Sequence, residues 1–299
     1  MTDASPIPHD LCDLGLLNGP VLVFGGPYSN LQATEALLRQ ADRLGIAPDK
    51  VICTGDVVAY AGDPAPTTDL IIQSGIHVLM GNCEESFGFE NEDCGCGFDE
   101  GSSCDLLSRQ WYAHASLELT REHRAWMRTL PRLIRFEIAG LKLAVIHGGQ
   151  ADISRWIFKS TPGADKRNEI TTLKNSGPVD VVIGGHCGLP FIDDLGDTLW
   201  LNPGVIGMPA NDGTPRTWFS VLTPTEAGVK VDLHPLAYDH ASAARRMSEL
   251  GLAGAYRETL EMGLWPNMDV LPEPERAQAA RPIKARSMEW RRPARIAAE

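Results

Sequence analysis

The 299-residue chain is short of basic residues and has no long apolar run. Lys and Arg total 27 against 39 Asp and Glu, a formal net charge of -12. Affinity for a phosphate backbone comes from counterion release on a basic surface, so a general nucleic-acid binder is not expected. No stretch approaches the ~20 apolar residues that span a bilayer, and no membrane role is expected. Residues Met1 to Gly15 lack the basic region and apolar core of a signal peptide, so we expect a cytoplasmic protein. No Ser-His-Asp or Cys-His motif is recognisable, which leaves covalent catalysis without support. Seven cysteines, an odd number without a secretory signal, point to thiols or metal ligands before disulfides.

What charge there is lies unevenly. Between Asn82 and Arg109 there is no Lys or Arg, while Glu84, Glu85, Glu90, Glu92, Asp93, Asp99, Glu100 and Asp105 crowd in. Beyond Arg276 the sign reverses, through Arg281, Lys284, Arg286, Arg291, Arg292 and Arg295. That end reads as a solvated, partly disordered segment, or else as a clamp on a partner or on the acidic loop of a neighbouring subunit in a homo-oligomer. The length suits one large α/β domain or two modest ones. The simpler reading is one domain over 1–265, with an acidic cysteine-bearing insertion at about 84–105, and a Pro-rich basic tail over 266–299.

Strand and helix patterns alternate. Pro20 to Phe24 is a short β-rich run, and from Asn30 the residues Leu31, Leu37, Leu38, Ala41 and Leu44 recur at helical spacing before Gly45. Val51 to Cys53 and Ile76 to Met80 read as strands, with a short helix around Asp69 to Gln73 between them. Asp105 to Leu130 reads as two helices, the second capped by Thr120. Arg132 to Glu137 and Lys142 to Ile146 flank Ala139-Gly140 as a hairpin. Strands are expected at Val179 to Ile183, Thr198 to Leu201, Trp218 to Leu222 and Val229 to Leu233, then helices at Ala241 to Leu250 and Tyr256 to Met262.

Four polar residues fall where these strands end: Asp56, Asn82, His147 and His186. Layered α/β folds gather such strand ends at one crevice. Taken singly, Asp56 could cap a turn, Asn82 could hold a left-handed turn and either histidine could pack in a core. Taken together they form a set of oxygen and nitrogen donors suited to a divalent transition metal, Mn, Zn or Fe.

Five segments carry a family resemblance: GDVVAYAGDP from Gly55, GNCEE from Gly81, VIHGG from Val145, GGHCG from Gly184 and LNPGVIGMP from Leu201. In order and spacing they resemble the calcineurin-like metallophosphoesterases, and most of all the small prokaryotic phosphodiesterase-like branch. The resemblance covers roughly Val21 to Val221 and implies an α/β four-layer αββα sandwich with the active site at the carboxyl ends of the central strands. It also implies two metals. The bridging aspartate maps onto Asp56, and the remaining ligands of one ion map onto Asn82, His147 and His186. Ligands of the other ion come from a D-x-H motif and the second histidine of G-H-x-H, positions that here hold Gly26, Tyr28 and Gly188. The acid histidine of G-N-H-[DE] is replaced by Cys83, a thiol whose ordinary pKa of about 8.5 makes it a poorer proton donor. Asn30 matches the asparagine of D-x-H-G-N and could orient a substrate oxygen, or simply cap its helix.

The resemblance therefore implies a hydrolase acting on a small phosphomonoester or phosphodiester through a metal-bound hydroxide, with an altered or single-metal site. One ion is expected and a second is open. The alternative is a weak or inactive metal-binding relative used in binding, sensing or scaffolding. Tyr28, Cys94, Cys96, Cys104 and Cys187 are candidates to rebuild the second position if the acidic loop folds over it. The three loop cysteines could instead order the loop around a structural metal, or stay unliganded. Arg155, with Lys159, Lys166 and Arg167, follows His147 closely enough to contact phosphate, with solvated surface as the alternative. Trp156 and Trp111 could stack a nucleobase or pack in a core.

Overall fold

In the computed structural model, described for residues 11–96, 103–252 and 254–293 and for the backbone alone at 103–106, two six-stranded sheets lie face to face. The first runs in the order β1 (Leu11–Leu16), β5 (Leu133–Ile138), β6 (Leu141–Ile146), β7 (Val181–Gly184), β9 (Leu199–Asn202), β8 (Phe191–Asp194). The second runs β12 (Arg286–Trp290), β11 (Val229–Leu236), β10 (Thr217–Pro224), β2 (Val21–Phe24), β3 (Val51–Cys53), β4 (His77–Val78). The helices are α1 (Leu31–Arg43), α2 (Pro64–Ser74), α3 (Asn82–Gly88), α4 (Ser103–Glu118), α5 (Arg121–Met127), α6 (Gly163–Lys174), α7 (His240–Glu249), α8 (Gly254–Met262) and α9 (Glu273–Arg276).

The two-residue period of the strands builds the layers. In β2, Val21 and Val23 enter the core between the sheets, while Leu22 and Phe24 enter the core under the helices. In β3, Ile52 points between the sheets and Val51 and Cys53 point to the helices. β6 and β7 repeat the pattern in the first sheet: Leu143, Val145, Val181 and Ile183 face the other sheet, and Ala144, Ile146 and Val182 face outward. Strands buried on both faces need a cover on each side. Residues of α1, α2, α7 and α8 cover one sheet, and Ile170 and Leu173 of α6 cover the other, which completes the four-layer αββα sandwich.

The site is placed by parallel pairing. β2, β3 and β4 run parallel in one sheet, and β6, β7 and β9 run parallel in the other. Parallel neighbours present their carboxyl ends on the same edge, so the segments after β3, β4, β6 and β7 converge there. Thr120 caps α5 through His123 N–H, and Asn30 caps α1 through Ala33 N–H, as the sequence pattern predicts.

Three features depart from the sequence reading. β1 and β8 occupy segments without a predicted strand. The run at 76–80 is strand only over His77–Val78, because Met80 N–H leaves the sheet to bond Pro131 O at 2.8 Å. The basic C-terminal stretch is not wholly a loose tail: β12 pairs antiparallel with β11 at the sheet edge, and Trp290 is buried in the core between the sheets. Arg292 forms an ion pair with Asp180. Among the described residues, no helix is long and apolar enough to cross a membrane.

Candidate metal centre

Both sheets contribute to one buried cluster. Asp56 follows β3 and Asn82 opens α3 just beyond β4, while His147 and His186 follow β6 and β7. All four side chains are buried. His147 Nε2 lies 3.0 Å from Asn82 Oδ1, 3.1 Å from His186 Nδ1 and 3.2 Å from Asp56 Oδ2. Among the described residues, Asp56, His147 and His186 form the group whose ligand atoms all lie close enough to hold an ion.

The proton inventory of this cluster decides what it can bind. His147 Nδ1 sits 2.7 Å from the carbonyl of Thr54, so Nδ1 carries the hydrogen and Nε2 presents a lone pair. The Asn82 amide is oriented by its Nδ2, which donates to Cys94 O at 2.9 Å, so its Oδ1 is the atom facing His147. Lone pairs from Asn82 and Asp56 thus converge on the lone pair of His147, with no donor between them. Such a set is satisfied by a cation, or by protonating His147. The ligand atoms of Asp56, His147 and His186 all lie within 4.8 Å of one another. The donors present fit a divalent transition metal.

Electrostatics point the same way. Burial alone would raise the Asp56 carboxyl, but the charge and hydrogen bond of His147 hold it below its ordinary value. Burial alone would lower the His147 imidazole, but the Asp56 charge outweighs it and the net shift is upward. Burial, with the His147 charge adding to it, lowers His186 to about 3, which keeps that ring neutral and able to ligate. Asp56 and His186 both adopt left-handed backbone, with φ of 60° and 56°. That conformation is costly for residues with a side chain and persists where the surrounding structure enforces it, commonly at functional sites.

A residue not singled out from the sequence braces this arrangement. The fully buried Glu84 accepts the backbone N–H groups of Asp56 at 2.6 Å, Val57 at 2.7 Å and Gly81 at 2.9 Å. Gly81 is required by close approach, since a Cβ there would lie 2.4 Å from Asp56 Oδ1. Burial, reinforced by the Asp56 charge, raises the Glu84 carboxyl to about 7. The signal was present in GNCEE, where Glu84 stands at the acidic position of the family's G-N-H-[DE].

The positions of the expected second metal are filled by rings. Tyr28, at φ 51°, folds its ring back over Gly26, where an added Cβ would meet ring carbons at 2.5 Å. A Cβ on Gly188 would come into van der Waals contact with the Trp265 ring at 3.5 Å. Burial, with the Asp56 charge behind it, pushes the Tyr28 phenol well above its ordinary value, which keeps it neutral in the ion-free protein.

Of the candidate cysteines, those whose side chains are described are paired with each other or buried. Cys94 and Cys96 are joined to each other as a disulfide, the pairing that the sequence reading ranked behind thiols and metal ligands. Their loop does fold over the site: Asn82 Nδ2 lies 3.4 Å from Cys96 Sγ, and Ser154 Oγ bonds Gly95 O. Cys187 is buried, accepts from Asn202 Nδ2 at 3.2 Å, and is raised to about 12 by burial. The Cys104 side chain lies outside the described residues. The Cys83 thiol is buried and raised well above its ordinary value by burial and then by Asp56, while its backbone N–H donates to Asp56 Oδ1 at 3.2 Å.

The remaining candidates are engaged in the fold. Both ends of the Asn30 amide are committed, Oδ1 to the cap and Nδ2 to Gly207 O at 3.0 Å, in place of a substrate oxygen. Arg155 pairs with Glu169, whose other oxygen accepts Gln150 N–H at 3.0 Å, so its guanidinium ties down the loop after His147. Lys166 is fully buried against Asp193 at 2.7 Å and Lys159 O at 2.8 Å. Trp111 packs in the helix-side core against Tyr60 and Phe87, whereas Trp156 lies 4.2 Å from the His186 ring, centroid to centroid.

A family model described as the calcineurin-like phosphoesterase superfamily domain matches residues 25–226. An uncharacterised protein of Methanocaldococcus jannaschii is 22% identical over 263 residues, spanning 83% of this chain and 100% of that protein. Crystal structures of a hypothetical protein from Pyrococcus horikoshii and of a metallophosphoesterase from Sphaerobacter thermophilus superpose with TM-scores of 0.68 and 0.61. Their identities are 16% and 21%, and each comparison covers 82% of this chain and 99% of the other. At those identities the likeness shows the fold.

Proposed function

The chain belongs to the calcineurin-like phosphoesterase superfamily, and from that premise we propose that it hydrolyses a small phosphomonoester or phosphodiester with a single divalent ion held by Asp56, Asn82, His147 and His186. The observation that carries this reading is the convergence of Asn82 Oδ1, His186 Nδ1 and Asp56 Oδ2 within 3.0 to 3.2 Å of a His147 nitrogen whose opposite nitrogen is fixed to Thr54 O. A divalent ion there supplies Lewis acidity, neutralising phosphoryl charge and acidifying water. The chain's own residues fix that chemistry in place. Thr54 selects the His147 tautomer, Cys94 O orients the Asn82 amide and Glu84 holds the Asp56 turn. Cys83 stands at the position of the family's acid histidine, and its raised pKa makes it a weak proton donor and a poor thiolate nucleophile.

A second reading is favoured by one observation, the Tyr28 ring over Gly26: a relative that keeps one ion for binding or sensing without useful turnover. Hydrolysis of bis-p-nitrophenyl phosphate and p-nitrophenyl phosphate by protein loaded with Mn, Zn or Fe, beside His147→Ala, separates the two. Turnover above the variant under at least one metal is expected. Rates equal to the variant under every metal would leave the binding reading.

A further inference from the structure

The rings that fill the second-metal positions do not fill them completely. A cavity of about 60 Å³ remains, lined by Tyr28, Tyr60, Trp156, Tyr256 and Trp265, and by His186. His186 is also a ligand of the metal cluster, so the contents of the cavity lie next to the ion. Among the described residues, none that lines it is an Asp, Glu, Lys or Arg, and His186 is held neutral by burial.

The walls are fixed in advance. Trp265 is held at both ends, its backbone N–H donating to Asn211 Oδ1 at 2.9 Å and its indole Nε1 to Pro209 O at 2.7 Å. Tyr60 stands between Tyr28 and Tyr256, at centroid distances of 4.8 and 4.7 Å. Trp156 lies between His186 and Phe158, at 4.2 and 5.9 Å. A pocket already in its binding shape loses little affinity to ordering.

We propose that this cavity is a specificity pocket that receives a compact, uncharged hydrocarbon group of the phosphorylated substrate, one to three carbons long. The inference rests on the phosphoesterase reading above and adds the chemistry of the organic group. Size favours the smaller candidates: a hydrocarbon-lined cavity of about 150 Å³ is what accommodates benzene, against about 60 Å³ here. Charge excludes others. Aromatic faces attract cations, but among the described residues no carboxylate lines this cavity, and a cationic group would lose its hydration beside a divalent ion. A water there finds few polar partners, so an alkyl group displaces it with a net gain.

The test is direct binding of non-hydrolysable phosphonates to the manganese-loaded full chain, by calorimetry or by quenching of tryptophan fluorescence. Methyl-, ethyl-, n-propyl-, phenyl- and 2-aminoethylphosphonate form the series. Affinity is expected to rise about fourfold for each added methylene up to propyl, with no gain for phenyl and a loss for 2-aminoethyl relative to propyl. Val270→Phe, which adds a ring to the lining, is expected to flatten the series. Trp265→Ala, which enlarges it, is expected to move the optimum to phenyl, with manganese content checked in both. A flat series in the unaltered protein overturns the pocket while leaving phosphonate binding, and hence the phosphoesterase reading, intact. Tighter binding of 2-aminoethyl than of propyl replaces the apolar occupant with a cation. Failure of every phosphonate to bind the loaded protein overturns the phosphoesterase reading and this inference together.

Discussion

The Oε2 atom of Glu84 accepts the backbone N–H of Asp56 at 2.6 Å, so the turn that presents one metal ligand is held by a carboxylate two residues beyond another. The same oxygen accepts Gly81 N–H at 2.9 Å, and Oε1 accepts Val57 N–H at 2.7 Å. Glu84 satisfies three buried donors on two separate loops. The position of Asp56 relative to Asn82 is therefore set by a side chain that need not touch the ion.

Replacing Glu84 with Gln keeps the shape but turns an amide NH₂ toward donors. At least one buried N–H is then left without an acceptor, at a cost of about 1 to 3 kcal/mol. Urea unfolding of Glu84→Gln is expected to show that loss, and metal titration to show weaker binding at unchanged stoichiometry. A variant as stable as the parent would show that the three donors find other partners.

Metal binding is expected to depend on pH through His147. Its folded-state pKa is raised above 6.5 because Asp56 outweighs burial, so in ion-free protein a proton stands where the ion belongs. That proton contributes stability that is complete below the unfolded value of 6.5 and is lost as pH rises through the folded value. The ion takes over above it. Apparent affinity should therefore fall as pH drops through the raised value, approaching tenfold per pH unit, and calorimetry in buffers of different ionisation heat should detect a released proton. Affinity that is level from pH 8 to pH 6 would contradict the assignment of the ligand atoms.

Much of the site was legible in the sequence. Asp56, Asn82, His147 and His186 each follow an apolar strand pattern, and parallel strands deliver their ends to one edge whatever lies between them. The four layers follow from the same alternation, which commits Val21 and Val23 to one core and Leu22 and Phe24 to another. Illegible features depend on contacts between distant segments. Trp265 facing Gly188, the pairing of Arg155 with Glu169 and the addition of β12 to the sheet have no local pattern to announce them. Glu84 lay between these cases: its motif position was visible, but an acidic run invites reading as solvated surface.

Restoring one family ligand should not restore a second ion. An Asp at position 26 would place its Cβ 2.5 Å from the Tyr28 ring, so Gly26→Asp is expected to cost about 1 to 3 kcal/mol by overpacking and to leave the metal content unchanged. Thermal unfolding and elemental analysis of the variant check both parts. A gain of an ion in this variant would mean that the Tyr28 ring yields easily.

The disulfide loop should tune the site without supplying a ligand. Replacing Cys94 and Cys96 together by Ser removes the sulfur beside the Asn82 amide but keeps the Cys94 carbonyl that orients it. Metal stoichiometry is expected to stay the same, with affinity reduced by no more than the 10- to 100-fold typical of outer-shell changes. A lost equivalent of metal would assign these cysteines to a coordination site.

The central claim is one ion per chain on four residues drawn from two sheets. Elemental analysis of the protein after saturation with Mn, Zn or Fe and removal of excess, run beside His147→Ala, tests it most directly. One equivalent in the parent and essentially none in the variant is the predicted result. Two equivalents in the parent, or one equivalent that survives His147→Ala, would contradict it.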